Sequence, residues 1–279
     1  MSPFSIRPLS TLDECRRVAA LEKEVWGLAD SEDVVPSSLL IASIKRGAIL
    51  LGAFDGEALR GFVYSMPAVK DGRLTHWSHM LGVAPEVRGE GVGLQLKRAQ
   101  RDHAIAVGLD LIEWTFDPLQ ALNAYFNFAR LGVVVEGYEQ DMYGQTGSPL
   151  HFGTPTDRFV AEWRLTAPHV ERRVSLGGAA LIRDQSVMSA AAVTQCLARG
   201  EWLTPSTPRL DLETRRLTVE IPTDFTEMQS RQPDLAMEWR LNTRSIFQTY
   251  LPRGYRVVDF FLAREARRGQ YLLAQKTAT

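Results

Sequence analysis

The stretch that decides the fold reads "LGVAPEVRGEGVG" and covers residues 81–93. An apolar run ends at a proline, an arginine follows, and three glycines then alternate with larger residues. Glycine loses more conformational freedom on folding than any other residue, so this density indicates a backbone that turns sharply or is approached closely by another group. The next residues, "LQLKRAQRDHAIAV" (94–107), have helical periodicity. The glycines therefore lie between a strand and a helix.

A glycine turn at the start of a helix presents free backbone amides at the positive end of the helix dipole, which is an anion site and most often a phosphate site. Two familiar phosphate motifs do not fit. A P-loop needs Gly-Lys-Ser/Thr, but Leu94 and Gln95 follow Gly93. A dinucleotide fingerprint needs its last glycine at position 94, which is leucine.

The segment 88–93, Arg-Gly-Glu-Gly-Val-Gly, instead resembles the Arg/Gln-x-x-Gly-x-Gly/Ala loop of the GNAT superfamily of N-acyltransferases. A Leu-x-Val-x-Pro strand precedes it, and a later helix ends at Leu131-Gly132. The order of elements in residues 4–165 is also similar to that of the family. The resemblance implies an α/β (α+β) fold with a mixed, mainly antiparallel sheet and flanking helices, and acetyl- or another acyl-coenzyme A as acyl donor without a metal.

The resemblance also implies roles for particular residues. The fourth strand should diverge from the fifth and offer backbone groups to the pantetheine arm, and the loop amides should hold the pyrophosphate. An amide side chain on the helix after the fifth strand should contact the pantetheine or the thioester. The implied coenzyme A-binding residues are Leu81, Val83, Arg88, Gly89, Glu90, Gly91, Val92, Gly93, Leu94 and Asn123. Lys97 and Arg101, one turn apart, are predicted either to meet the phosphates or to lie on a solvated face.

The catalytic groups are less well defined. In much of the superfamily a tyrosine four residues before the helix-ending glycine protonates the thiolate, but here that position is Phe128. His79 shares strand parity with Leu81 and is predicted as a general base, with a histidine inside the sheet as the alternative. Glu113, in the middle of a strand, is predicted to bind the amine or relay a proton, with an edge-exposed glutamate as the alternative.

After residue 165 the pattern changes. Residues 166–186 have little periodicity and are predicted to be a connector. The strand, helix, glycine, strand, strand order then repeats that of residues 109–165, which indicates a degenerate half-repeat or a chance likeness. We therefore predict two domains, 1–165 and a smaller α/β unit at 166–279. Aligning Gly132 with Gly254 places Tyr250 where the first half has Phe128.

Composition restricts the function classes. The chain has 279 residues, a net charge of −1 and 45% hydrophobic residues, which gives no support to nucleic-acid binding. No apolar run reaches membrane-spanning length, and two distant cysteines fit a reducing compartment, so a cytoplasmic protein is expected. The oligomeric state stays open, a homodimer included.

The sequence thus predicts an N-acyltransferase that modifies a primary amine of a small molecule. The stretches "WTFDPLQALNAYFNF" and "WRLNTRSIFQTY" resemble a poorly characterised GNAT subgroup with a C-terminal extension. This narrower resemblance implies two options, an amino acid as the acceptor and succinyl as the acyl group. The alternative is a non-catalytic acyl-coenzyme A sensor. Asp157-Arg158 is predicted to be a local ion pair or an acceptor carboxylate site.

Overall fold

The computed structural model describes residues 4–28, 34–144, 153–175 and 190–276. The chain folds into two compact units. The first comprises residues 1–114, 147–150 and 164–166, and the second comprises 115–146, 151–163 and 167–279. The predicted domain boundary at residue 165 is a statement about which segments fold independently, and it stays a prediction.

The first unit is a sheet with three helices. Its strands are β1 (Ser5–Pro8), β2 (Ile49–Asp55), β3 (Ala58–Lys70), β4 (Arg73–Val83) and β5 (Leu111–Phe116, whose last residues belong to the second unit). They lie in this order, antiparallel up to β4, with β5 parallel to β4. The helices are α1 (Leu12–Trp26), α2 (Ser37–Ile44) and α3 (Val92–Ala106).

Local signals place these elements. Thr11 accepts a hydrogen bond from the Glu14 amide while the Glu14 carboxylate accepts one from the Thr11 amide, and this capping box starts α1. Gly56 adopts φ +57° in the turn that joins β2 and β3 into a hairpin.

The second unit contains α4 (Ala121–Tyr125) with a π-helical continuation at Phe126–Leu131, then β6 (Val134–Glu139), β7 (Arg158–Arg164) and α5 (Pro168–Ser175). The later elements are β8 (Ala191–Thr194), β9 (Cys196–Arg199), β10 (Trp202–Pro205), β11 (Arg216–Pro222), α6 (Phe225–Arg231), α7 (Pro233–Tyr250), β12 (Tyr255–Ala263) and β13 (Arg268–Gln275). The strand order is β7-β6-β12-β13-β11-β8, with β9 and β10 as a separate hairpin.

Strand β6 pairs with β12 at positions that the predicted half-repeat would make equivalent. Val135 lies three residues after Gly132, and Val257 lies three residues after Gly254. These two equivalent valines are antiparallel partners of each other, and both are buried. The mixed, mainly antiparallel sheet with flanking helices that the sequence predicts is confirmed. The C-terminal half-repeat stays a prediction.

One prediction about the connector is wrong. Residues Pro168–Ser175 form helix α5, because Val170 is buried and Arg173 is held by Asp259, with an Nη2–Oδ2 distance of 2.7 Å, and by the carbonyl of Ala129. The partners of Arg173 lie far away in sequence and leave no local periodicity to detect. Apart from residues 166 and 167, the rest of the predicted connector (176–186) lies outside the described residues.

Candidate functional site

The fourth and fifth strands are paired over a short stretch only. Within the described residues their parallel register covers His76 with Ile112 and Trp77 with Glu113. Strand β4 continues to Val83 and remains paired with β3 along its other edge as far as Gly61. The edge of residues 78–83 that faces away from β3 therefore offers backbone N–H and C=O groups with no strand partner there. This is the divergence that the resemblance predicts.

A β-bulge marks the start of this divergence. Tyr64 of β3 lies opposite Met80, while the next residue, Ser65, lies opposite Ser78. His79 is therefore the extra residue of β4, and bulges redirect side chains at such positions. Its side chain is exposed and its ring meets the Tyr64 ring edge-on at 6.4 Å between centroids. Partial desolvation lowers the pKa of His79, so the imidazole is neutral at pH 7 and able to accept a proton.

Residues 84–91 form the loop before α3. A 3-10 turn at Pro85–Val87 leads to Gly89 at φ +89° and Gly91 at φ +82°, and α3 begins directly afterwards. In the part of the chain that the structure describes, no backbone hydrogen bond uses the amides of Gly89, Gly91, Val92, Gly93 or Leu94. The Glu90 amide is the exception, because it donates to the Val87 carbonyl at 3.3 Å. Free donors are thus gathered at the N-terminus of a fifteen-residue helix.

The space in front of these amides is open. A Cβ added to Gly89 or Gly91 would meet no described atom within 4 Å. Packing within the protein therefore does not demand glycine there, and the left-handed backbone is the local reason for it. An anion approaching the loop would fill this space. The free amides, the open approach and the unpaired edge of β4 fit the pyrophosphate and pantetheine of an acyl-coenzyme A.

Two further residues of the predicted coenzyme A site lie on β4, and one braces the loop. Leu81 and Val83 are partly exposed, whereas Met80, which precedes them, is buried. Arg88 donates from Nε to the Val83 carbonyl at 3.3 Å and from Nη2 to the Val25 carbonyl at 3.2 Å. Its guanidinium therefore ties the loop to the ends of β4 and α1.

The side chain of Lys97 lies in neither of the two environments predicted for it, a phosphate site and a solvated helix face. Its side chain is only 2% exposed, and its Nζ lies 2.7 Å from Gln100 Oε1 and 3.8 Å from the centre of the Trp114 ring. Burial lowers the pKa of Lys97 well below its ordinary value. Both the phosphate contact and the solvated face are wrong for this residue. Arg101 donates from Nε to the Leu165 carbonyl at 2.8 Å.

Glu113 is buried, with 7% of its surface exposed, and accepts a hydrogen bond from Lys70 Nζ at 2.6 Å. The ion pair compensates the burial of this carboxylate. Asn123 is an exposed residue of α4, and its Oδ1 accepts a hydrogen bond from Asn127 Nδ2 at 3.3 Å. The roles assigned to these two residues stay predictions.

The two aromatic residues at equivalent positions of the half-repeat are both structural. Phe128 is 1% exposed and its ring lies between those of Phe116 and Tyr271, at 6.1 and 5.9 Å. Tyr250 is fully buried, and its hydroxyl donates to the Arg209 carbonyl at 2.6 Å and accepts from the Leu212 amide at 3.2 Å. The Tyr250 hydroxyl is therefore engaged by the backbone.

Glu22 was not singled out from the sequence. This residue of α1 is 3% exposed, and its carboxylate accepts from the Val35 amide at 3.2 Å. Burial raises the pKa of Glu22 to about 7. The signal was present, since Glu22 follows Cys15 by seven residues and Val18 by four, and therefore lies on the buried stripe of the helix. A buried carboxyl that titrates near neutrality is typical of functional sites.

Among the described residues no group of three or more His, Cys, Asp or Glu side chains could hold a metal ion. No helix in the described ranges is long and apolar enough to cross a membrane. We still only predict that acyl transfer from acyl-coenzyme A needs no metal. The absence of a nucleic-acid or membrane partner also stays a prediction.

Comparison with solved structures finds acetyltransferases of the GNAT family. The chain is similar to a GNAT acetyltransferase from Streptococcus pneumoniae at 16% identity, with 57% of this chain and 98% of that chain covered and a TM-score of 0.47. It is also similar to the ribosomal-protein-S18-alanine N-acetyltransferase from Escherichia coli, at 12% identity, 59% and 95% coverage and a TM-score of 0.47.

A third similar structure is the PaiA N-acetyltransferase from Thermoplasma acidophilum in complex with coenzyme A, at 16% identity, 58% and 98% coverage and a TM-score of 0.40. No protein-family model and no curated protein matches the chain. At these identities the likeness concerns the fold, and the function must be argued from the geometry of the chain itself.

Proposed function

We propose that the protein is an N-acyltransferase that moves an acyl group from acyl-coenzyme A to a primary amine of a small molecule. One observation carries the proposal: free loop amides at the N-terminus of α3 adjoin the free edge of β4. The amides offer donors to a pyrophosphate, and the edge offers a donor and acceptor ladder to an extended amide chain. Leu81 and Val83 supply that ladder, and the amides from Gly89 to Leu94, without Glu90, hold the phosphates.

Amine acylation needs a base for the ammonium proton. His79 is the base in this proposal, because it projects from the bulge at the start of the free edge and is neutral at pH 7. Glu113 is less suited, since Lys70 already holds its carboxylate. Asn123 remains a proposed contact of the thioester arm.

A non-catalytic acyl-coenzyme A sensor is the second candidate, and Phe128 favours it. The usual proton donor to the leaving thiolate is replaced by a buried ring with no polar atom. In the enzyme, solvent or another hydroxyl must then protonate the thiolate.

A thiol-release assay separates the two candidates. Acetyl- and succinyl-coenzyme A are incubated with the protein and a panel of primary amines that includes amino acids. Amine-dependent release of free thiol supports the transferase and names the acyl group and the acceptor. Saturable coenzyme A binding in calorimetry without release on any amine supports the sensor. The identities of the acceptor and of the acyl chain stay predictions, as do a cytoplasmic location and a homodimer.

A further inference from the structure

The second unit contains a cluster of charged side chains that are mostly buried. Two carboxylates and three guanidinium groups come together from the end of β5, from β7 with the residue before it, and from α7: Asp117, Asp157, Arg158, Arg240 and Arg244. Asp117, Asp157 and Arg240 have at most 3% of their surface exposed. Three arginines against two aspartates leave one positive charge in excess. Burying a charge is costly unless a group of opposite charge accompanies it.

Both carboxylates are fully engaged by the arginines of α7. Arg240 forms a bidentate pair with Asp117, at 2.9 Å from Nη1 to Oδ1 and 2.6 Å from Nη2 to Oδ2. Arg244 forms a second bidentate pair with Asp157, at 2.8 and 2.7 Å. Asp157 also accepts hydrogen bonds from the Tyr138 hydroxyl and the Asp141 amide. Asp117 also accepts a hydrogen bond from the Leu119 amide at 2.8 Å.

Arg158 is the arginine in excess. Within the described residues it has no carboxylate at ion-pair distance, so the predicted local pair with Asp157 is wrong. Glu139 is its cross-strand neighbour, but that side chain is exposed and forms no ion pair with it. The Arg158 Nε is buried without a partner, although its side chain as a whole is only partly buried. Desolvation lowers the pKa of Arg158, and Arg240 adds to that effect while Asp117 opposes it.

An aromatic ring that carries a hydroxyl lies beside this guanidinium. The Arg158 Cζ lies 5.2 Å from the centre of the Tyr143 ring. That hydroxyl lies 3.0 Å from Thr115 Oγ1. Tyr143 is 42% exposed, and Arg158 is partly exposed. A planar fork of N–H donors with hydroxyl donors beside it matches a carboxylate.

We propose that Arg158, Tyr143 and Thr115 form a binding site for the carboxylate of a small organic acid. The single excess charge matches a monoanion better than a phosphate dianion, and the Tyr143 ring offers an apolar surface to the remainder of the ligand. The proposal goes beyond acyl transfer and stands whether or not the protein is a transferase.

The test measures binding of benzoate to the full-length protein by calorimetry or ligand-observed NMR, with the isosteric neutral benzamide as the reference ligand. We expect saturable benzoate binding, no benzamide binding, and at least tenfold weaker benzoate binding in Arg158→Gln. Arg199→Gln, which removes an exposed arginine elsewhere in the second unit, is the matched charge control and should bind like the wild type. Tyr143→Phe, which removes one hydroxyl from an exposed ring, should weaken binding by a smaller factor.

Folding provides an independent readout. Because Arg158 is the uncompensated charge, Arg158→Gln should leave the thermal midpoint unchanged or raise it, whereas Arg240→Gln should lower it. Absence of benzoate binding, equal binding in Arg158→Gln, or tighter binding of inorganic phosphate than of benzoate overturns the proposal. A marked drop in the midpoint of Arg158→Gln also overturns it, because the arginine would then be structural.

Discussion

Two pairs of parallel strands, one in each unit, differ in how they end. In the first unit β4 and β5 share two register positions and then separate, and β4 runs into the glycine loop and α3. In the second unit β8 and β11 are in register at Leu217 with Ala191, Thr218 with Ala192 and Val219 with Thr194. Strand β8 then leads into the β9–β10 hairpin, where no helix N-terminus follows.

The difference shows that the strand–helix–hairpin scaffold does not by itself make a nucleotide site. Both segments keep the glycine that ends the helix, and both keep the antiparallel hairpin after it. Within the described residues, only the β4–β5 pair of the first unit combines a free strand edge with free amides at a helix N-terminus. These two features come from β4 and α3, which lie outside the repeated strand–helix–hairpin segments.

The largest expected effect comes from a substitution that blocks the glycine loop of the first unit. Gly91→Ala should weaken coenzyme A binding by ~100-fold or more, because the added methyl occupies the open approach to the free amides. Gly108→Ala is the matched control, since Gly108 has φ +85°, against +82° for Gly91, and equally open surroundings at the other end of α3. Both variants carry about 1–2 kcal/mol of backbone strain. Calorimetry that finds equal affinities for the two would disprove the loop assignment.

The second-largest expected effect concerns His79, the extra residue of the bulge in β4. This bulge lies where the free edge of β4 begins, and the second unit has no bulge at a comparable free edge among its described residues. His79→Ala should lower the turnover number by about 10²-fold while coenzyme A affinity changes little, because a base acts on the amine proton and not on the nucleotide. The pH–rate profile should lose its lower inflection. Glu113→Gln, which disturbs only the Lys70 ion pair, should retain turnover. A wild-type profile in His79→Ala would make this histidine structural.

A third test compares buried acids. In the second unit the buried carboxylates Asp117 and Asp157 are paired with arginines, whereas Glu22 in the first unit is bonded to the Val35 amide. The pKa of Glu22 is raised from 4.5 to about 7, so the folded state binds the extra proton between these values. The contribution of Glu22 to the free energy of unfolding is therefore greatest below pH 4.5 and is lost as pH rises through 7.

Glu22→Gln should remove this dependence and be more stable than the wild type at pH 8, by about 2 kcal/mol. Urea unfolding at several pH values between 5 and 8 measures it. Glu24→Gln, an exposed glutamate of the same helix, is the control and should unfold like the wild type. Parallel pH curves for wild type and Glu22→Gln would show that Glu22 titrates normally.

The smallest effect concerns the brace of the loop. Arg88→Ala should weaken coenzyme A binding by about tenfold, because the guanidinium bonds to Val83 and Val25 are lost while the free amides remain. Arg73→Ala, at the far exposed end of β4, removes the same charge and should bind normally. A loss in Arg88→Ala as large as that in Gly91→Ala would mean that the arginine itself is the main phosphate ligand.

The features that could be read from the sequence are local ones. The capping box of α1, the Asp55-Gly56 hairpin and the loop before α3 are each encoded within a few neighbouring residues. The bulge at His79 could not be predicted, because it exists only relative to the register of β3. The partners of the charged residues were equally hidden, since Arg240 and Asp117 are 123 positions apart.

Hydrogen exchange with and without acetyl-coenzyme A tests the central claim most directly, because it reads both strand pairs in one experiment. If the first pair is the acyl-coenzyme A site, the ligand should slow exchange at the amides of residues 89–94 and along residues 78–83. Exchange in residues 190–205, which contain β8 and the hairpin after it, should not change. No protection at the loop, or equal protection at both places, would contradict the account.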